Sequence, residues 1–534
     1  MWRKISLLLI FCCAIFFSCS QLKEYPDRQS RTFEQEVIYH IFQRSFFDSN
    51  GDLHGDLNGI RSKLDYLEEL GVNTILITPL YLSPFYHNYF PDDFFKIDPS
   101  YGSAEDYLEL VDALHQRGMK LIMDMEIHYV TSEHEWFKDS FQNPQSPYSD
   151  YIIYNGPNNT NPESIIFNLD TVETWDGKQV IATTVDMYSQ GVIDYHHQLF
   201  KYWVDPNGDG DFNDGVDGFR IDHMVDDLDW KNIRTDLLQK FWKPLFDELR
   251  AVNPHLLIIG EQGEWDFGIK YFEKGDVDLI FSFQLRNAFI KFDKNDIISM
   301  ADSTYRLRPE GKSEIIFIEN HDLSRFATIV SSNPLMLKVG AALNILFKGV
   351  PSIYYGQELG MTGEFKKYGN TASNDIPRRE AFEWYRTIKG PGMALWYKDT
   401  GPWWDETQLK DNDGISLSEQ KSDPSSLWNF YKTLLAIRRS NSAIQTGDYI
   451  AVKNDNQNIL SFLRWDESQY ILVVINLHEK PVSIQLDLGN LPDTVLDKTI
   501  TDLITNKEIA LEKMDKSNWM TELKGYEVGV YRLK

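Results

Sequence analysis

Between residues 36 and 356 the chain alternates two kinds of hydrophobic pattern. Short runs rich in branched and aromatic residues, EVIYHIF, VNTILIT, KLIMDME, GFRID, HLLIIGE, DLIFSF, EIIFIEN and VPSIYYG, read as buried strands. Between them apolar residues recur at helical spacing, as in IRSKLDYLEELG and SAEDYLELVDALHQRG, each of which stops at a glycine. Eight strands alternating with helices predict an α/β fold, a (β/α)8 TIM barrel, over residues 37–126 and 190–440. About 90 residues separate the third run from the fourth, far too many for a βα connection. They predict an inserted subdomain over 127–189, irregular and rich in Asn, Pro and Tyr. From about residue 445 the period changes to two, in ILSFLRW, YILVVINL, VSIQLDL and YEVGVYRL, which predicts a C-terminal antiparallel β-sandwich over 445–534.

The N-terminus, MWRKISLLLIFCCAIFFSCSQ, follows neither pattern. Arg3 and Lys4 precede an apolar run too short to span a bilayer as a stable helix, the organisation of a secretory signal over residues 1–18. All three cysteines, Cys12, Cys13 and Cys19, lie in this stretch, so the chain beyond it has no disulfide. FFSC resembles the lipobox of a bacterial lipoprotein. That resemblance implies an acylated Cys19, a lipidated tether over residues 19–36 and attachment to a membrane, with Ser20 pointing to the outer membrane. Cleavage by an ordinary peptidase would instead leave Cys19 a free thiol.

Composition narrows the class of partner. The chain has 534 residues, 42% of them hydrophobic, enough to bury a full core. Its 80 acidic against 53 basic residues give a formal charge of −27, which excludes a phosphate backbone as natural partner, so no nucleic acid is expected. The 14% of aromatic residues supply either faces for sugar rings or a large aromatic core.

A barrel of this kind carries its chemistry at the C-terminal ends of the strands. There the sequence is acidic: Asp124 on the third run, Arg220 and Asp222 on the fourth, Glu261 on the fifth, and Asn320, His321 and Asp322 on the seventh. Carboxylates converging on one mouth raise at least one pKa, as a general acid near neutral pH requires. Arg220, two residues before Asp222 and so on the same strand face, would keep its neighbour ionised. One ionised and one protonated carboxyl are the equipment for breaking an acetal through an oxocarbenium-like transition state.

Over nearly the whole chain beyond the signal, the sequence resembles glycoside hydrolase family 13, the α-amylase family. QEVIYHIFQRSFFDSNGD, GFRID, IIGE, FIENHD and GVPSIYYGQELGM carry the resemblance, and GFRID and ENHD at this spacing are specific. It implies Asp222 as nucleophile, Glu261 as general acid and then base, and Asp322 with His321 gripping sugar hydroxyls, while Arg220 orients Asp222. Tyr89, in YHNYFPDDF, falls where the family stacks an aromatic ring on the sugar. Glu264 lies only three residues beyond Glu261, but Glu261 directly ends the apolar run LLIIG, which favours it. Double displacement predicts Asp222 and Glu261 carboxyls about 5–5.5 Å apart.

Strand three departs from the family. Where Asp, three residues and Asn-His are usual, MDMEIHY keeps Asp124 but offers His128 and Tyr129 in the last two places. The usual histidine contacts the sugar and the usual asparagine often helps hold calcium, so both roles fall open. Either a backbone shift lets His128 take over the sugar contact, or Tyr129 donates through its hydroxyl. After Asp222, HMVDD also lacks the Lys-His that many α-amylases use across the scissile bond.

Two loops carry hard oxygen donors at alternate positions, an arrangement suited to structural Ca²⁺. The first, DSNGDLHGD, offers Asp48, Asn50, Asp52 and Asp56, and by resemblance to the oligosaccharide-cleaving branch the backbone carbonyl of His54. The second offers Asp205, Asn207, Asp209 and Asp211 just before strand four, but its twelfth position is Val216 rather than the distal glutamate of an EF-hand. Asp214 and Asp217 read as turn residues. The leading function is a retaining hydrolase of α-1,4-linked glucan or malto-oligosaccharide. A glucanotransferase on the same fold, and a non-catalytic glycan-binding lipoprotein, are the alternatives.

Overall fold

A computed structural model of the protein describes residues 25–487, 499–510 and 519–533; the expected signal and Cys19 lie outside the described residues. Eight parallel strands close into a barrel: β1 (Ile38–Ile41), β2 (Thr74–Ile77), β3 (Lys120–Met125), β4 (Gly218–Met224), β5 (Leu257–Gln262), β6 (Leu279–Phe281), β7 (Ser313–Ile316) and β8 (Val350–Tyr354). Each strand pairs with its sequence neighbours and β8 closes on β1. Ile38, Leu76, Ile122, Ile259, Leu279 and Ile315, all buried, belong to one apolar cluster; most of the other strand side chains join a second cluster shared with the surrounding helices. The strands are buried on both faces, which is why they read as continuous apolar runs.

Local signals place the helices. Helix Ala104–Gln116 starts at Ser103, whose hydroxyl accepts from the Asp106 amide while Asp106 reaches back to the Ser103 amide. The helix Leu64–Leu70 stops at Gly71, whose φ of 105° is left-handed and cheap only for glycine.

The long gap between β3 and β4 holds a small antiparallel sheet, Tyr129–Thr131, Gln179–Thr184 and Thr171–Glu173, with its own apolar cluster around Phe85, Tyr129, Ile165 and Val172. Helix Gln190–Val204 then returns the chain to the barrel. At the C-terminus a six-stranded antiparallel sheet faces a two-stranded one, Val482–Leu486 with Trp519–Leu523. This domain is fastened to the barrel: Arg464, fully buried, donates to the Leu346 carbonyl at 2.9 Å, and Phe462 packs on Phe347 with ring centroids 4.5 Å apart.

The described part of the expected tether is docked on the barrel. From Tyr25 to Glu36 it lies against the barrel's lower face, at the start of β3 and β4. Arg28, 3% exposed, pairs with Asp217 at 2.7 Å and donates to Asn213 and to the Phe212 carbonyl. Arg31 donates to the Gly118 carbonyl at 2.8 Å, and Glu36, fully buried, takes Lys120 and Thr74. These charges are satisfied by partners remote in sequence. The reading of Asp217 is corrected: rather than a turn residue it is a buried anchor that also meets His115 and the Leu121 amide, both at 2.9 Å. Burial pushes its carboxyl up, but His115 and Arg28 outweigh that and hold it below the usual range.

Candidate active site

The mouth is organised around one cation. Arg220 on β4 is fully buried and its register partner on β3 is Asp124, so the two meet across adjacent strands. The guanidinium donates to both Asp124 oxygens, at 2.8 and 2.7 Å, binds Asp222 closely, and lies 2.8 Å from Glu261. Gly218 makes the tight β4–β5 approach feasible, because a Cβ there would stand 2.2 Å from the Leu257 carbonyl. Beyond Asp222 the ladder slips between Ile221 and Met224, and His223 sits at φ 42°, a strained value for a non-glycine residue. That kink turns the His223 amide towards Glu261, which accepts from it at 3.2 Å.

Ligand atoms of Asp222, Glu261 and Asp322 lie within 4.8 Å of one another, as do those of Asp124, Asp222 and His321. Three carboxylates this close cannot all ionise cheaply, and their surroundings divide them. Burial pushes Asp222 up, but Arg220 outweighs it and leaves the carboxyl below its usual range. Burial drives Glu261 well above its usual range; Asp222 and Asp322 add to the rise, and Arg220 offsets only part. Asp124, fully buried, is pushed up to about 7, burial again exceeding the pull of Arg220. Asp322 sits at the rim, its side chain 40% exposed, held by His321 and Arg379 at 2.9 Å each. Burial would raise it, yet these neighbours keep it well below the usual carboxylate range.

Tyr89 lies in the same mouth. Its ring stacks on His321 with centroids 5.5 Å apart and an interplanar angle of 14°, and its hydroxyl donates to Asp124 at 2.8 Å. Glu264 is elsewhere, paired with Lys270 at 2.6 Å and hydrogen-bonded to Tyr271.

The strand-three departure resolves differently from either expectation. His128 is fully buried; Glu126 accepts from its ring Nδ1 at 2.8 Å, and its ring packs edge-on against Trp242 and His223. Tyr129 is 2% exposed and gives its hydroxyl to Asp229. Both side chains are enclosed and committed to other partners, which corrects the reading of them as sugar contacts.

Three residues at the mouth escape sequence reasoning. Arg379 donates to the His321 carbonyl and grips Asp322; Arg378 donates to the Asp322 carbonyl. They lie in the segment after β8, and only the doubled arginine of IPRRE hints at them. Glu126, 1% exposed, reaches Asp222 from the end of β3. Its signal was an acid at an otherwise apolar strand end.

The two oxygen-rich loops share one geometry and lie at opposite ends of the barrel. In the first, above β1, Asp48 accepts from the amides of Asn50, Gly51 and Leu53, Asn50 from Asp52, and Asp52 from His54. In the second, below β4, Asp205 accepts from Gly208, Asp209 and Gly210, Asn207 from Asp209, and Asp209 from Asp211. Such side-chain-to-amide ladders turn each loop tightly and leave it rich in oxygen donors, the ligand chemistry a hard cation takes; the acidic groups close enough to share an ion among the described residues lie at the mouth instead. Asp56 has a further task as the cap of helix Leu57–Ser62, accepting from Gly59 at 2.6 Å and from Ser49.

A closed (β/α)8 barrel whose mouth sets a carboxyl drawn below its usual range beside one pushed above it, both on one arginine, has the equipment of a carboxylate-pair glycoside hydrolase. Residues 40–447 match the alpha-amylase catalytic domain family and residues 449–529 the maltogenic amylase C-terminal domain. The chain therefore belongs to the α-amylase family of glycoside hydrolases. It is 29% identical over 456 residues to Alpha-amylase 3 of Dictyoglomus thermophilum, covering 84% of this chain and 85% of that protein. Oligo-1,6-glucosidase of Parageobacillus thermoglucosidasius is 26% identical over 587 residues, covering 94% and 99%. The crystal structure of alpha-amylase from H. orenii superposes with a TM-score of 0.76 at 28% identity, covering 93% of this chain and 99% of that one.

Proposed function

We propose that this protein cleaves α-1,4-glucosidic bonds of starch-derived chains or malto-oligosaccharides with retention of configuration. The observation that carries the reading is the convergence of Asp222, Glu261 and Asp322 within 4.8 Å of one another, the first two on the shared guanidinium of Arg220, with the Asp222 carboxyl drawn down and that of Glu261 pushed up. In the first step an Asp222 oxygen bonds to the anomeric carbon as the glycosidic C–O bond breaks, and the Glu261 proton passes to the leaving oxygen. Water then attacks the same carbon, Glu261 takes its proton, and Asp222 leaves as a carboxylate. Asp322, with Arg379 and His321 behind it, holds sugar hydroxyls at the rim, and Tyr89 presents its ring to the same sugar. The similarity to an α-amylase supports the α-1,4 reading; the similarity to an oligo-1,6-glucosidase makes isomaltotriose the necessary control.

Maltoheptaose is expected to yield only smaller sugars by chromatography, and isomaltotriose to remain intact. Products longer than maltoheptaose would mean a glucanotransferase, and no change a non-catalytic binder. Asp222→Asn is expected to lower kcat about 10³-fold or more, because it removes the nucleophile itself. An active Asn variant would sink the mechanism.

The same reading includes structural Ca²⁺ in the two oxygen-rich loops. It also includes export with a lipid anchor at Cys19, for which incorporation of labelled palmitate, lost in Cys19→Ser, is the test.

A further inference from the structure

Glu126 is an acid with no place in the two-carboxyl mechanism. It directly follows β3, is 1% exposed and, among the described residues, forms an ion pair with no arginine or lysine. Its Oε1 accepts from the His128 amide and from His128 Nδ1. Its Oε2 is buried and reached by no N–H or O–H donor. On its other side lies Asp222: the β3–β4 register, with Arg220 beside Asp124 and Ile221 beside Met125, runs on to set the two carboxyls side by side, and each shifts the other's titration. Two carboxyls can share such a contact only around a proton, since two buried anions would repel each other in a medium that screens poorly.

Which of them holds the proton follows from their neighbours. Asp222 has the guanidinium of Arg220. The groups facing Glu126 are Asp222 and His223 on β4, Tyr81 from the segment after β2, and His128 and Tyr129 beyond its own strand. None is a fixed cation, and burial keeps His128 neutral, lowered to about 4. A charged Glu126 would be poorly compensated, because His223 and the His128 amide offset only part of what burial and Asp222 impose. The proton therefore rests on Oε2, the atom without a donor, and Oε2–H donates to Asp222.

We propose that Glu126 is a positioning residue for the nucleophile: a neutral carboxylic acid that is fastened by His128 and donates its single hydrogen bond to Asp222. The proposal rests on the reading of Asp222 as nucleophile. Chemically the bond is strongest when Asp222 is a carboxylate and weakest when it is a glycosyl ester. Glu126 thus fixes the direction of attack and, in the second step, favours departure of Asp222 as an anion. It gives strand three a role that the altered His128 and Tyr129 do not fill.

Two variants and one spectrum test this. Glu126→Met keeps the volume but neither hydrogen bond; Glu126→Gln keeps a donor for Asp222 and an acceptor for His128 but cannot ionise. On maltoheptaose, Met is expected to lower kcat about tenfold or more with KM within about threefold, and to move the acid limb of the pH–rate profile upward, because Asp222 loses a donor. Gln is expected to recover most of the rate and to return the limb to its wild-type position. A purely packing role would not move the limb. In the substrate-free protein near neutral pH, the protonated-carboxyl infrared absorption, to which Glu261 also contributes, should lose one band in Gln relative to wild type. An unchanged band, an unmoved limb in Met, or a Gln variant as slow as Met would overturn the proposal. The spectrum needs no substrate. A wild type that has the band but leaves maltoheptaose intact would refute the substrate reading, while the lost band would still place the proton on Glu126.

Discussion

Arg220 shows how much one side chain decides at this mouth. It touches Asp124, Asp222 and Glu261 at once, so its charge is spent unequally, and the acid with the weaker compensation keeps its proton. Two limbs of the pH profile follow. The rate requires Asp222 ionised and falls as pH drops through a pKa below the usual carboxylate range. It requires Glu261 protonated and falls as pH rises through a pKa well above that range. The bell is therefore expected to have a broader plateau than two ordinary carboxyls would give, as kcat/KM measured against pH will show. Arg220→Lys retains the charge but loses the fork that reaches three acids, and is expected to cost about 100-fold in kcat/KM and to narrow that plateau from the acid side.

At the scale of elements, the loops at 48–56 and 205–214 fold by the same device, an alternation of short polar side chains that cap amides two to five residues ahead. A cation bound only in the folded state stabilises it by mass action. With both loops filled, excess chelator is expected to lower the melting temperature by several degrees, and added Ca²⁺ to restore it; an unchanged melting curve would count against the metal reading. The loop below β4 stands at the opposite end of that strand from Asp222, so any effect of its ion on catalysis passes through the strand rather than through the site.

For the whole molecule, the decisive contacts are those that tie its ends to the barrel. Arg28 brings the N-terminal segment to the lower face, away from the mouth, so a chain held by its N-terminus would present its active site outward. Arg28→Met leaves Asp217 buried with only His115 and the Leu121 amide to meet it. Stability should fall by about 2–4 kcal/mol in urea unfolding, with kcat on maltoheptaose unchanged. The Asp217 carboxyl is depressed in the folded state, so its contribution is present above the ordinary carboxylate pKa and is lost as pH falls through the depressed value. The stability gap between wild type and Arg28→Met should therefore close in acid.

Sequence alone determined the barrel and the C-terminal domain, because strand and helix periods are local properties that burial on two faces amplifies; it marked an insertion after strand three but read it as irregular, and its antiparallel sheet came only with the fold. It also located Asp124, Arg220, Asp222, Glu261, His321 and Asp322, because a barrel presents its strand ends at one face whatever its loops do. Only the tertiary structure decided what depends on neighbours distant in the chain. Arg28 lay in a stretch read only as a tether until Asp217 met it, 189 residues away. His128 and Tyr129 looked like substrate contacts until Glu126 and Asp229 claimed them. Arg379 joined the site from beyond β8, and Glu126 gained its meaning only when β4 placed Asp222 beside it. Charge and hydrogen bonding act through space, and the folded chain alone sets which groups share that space.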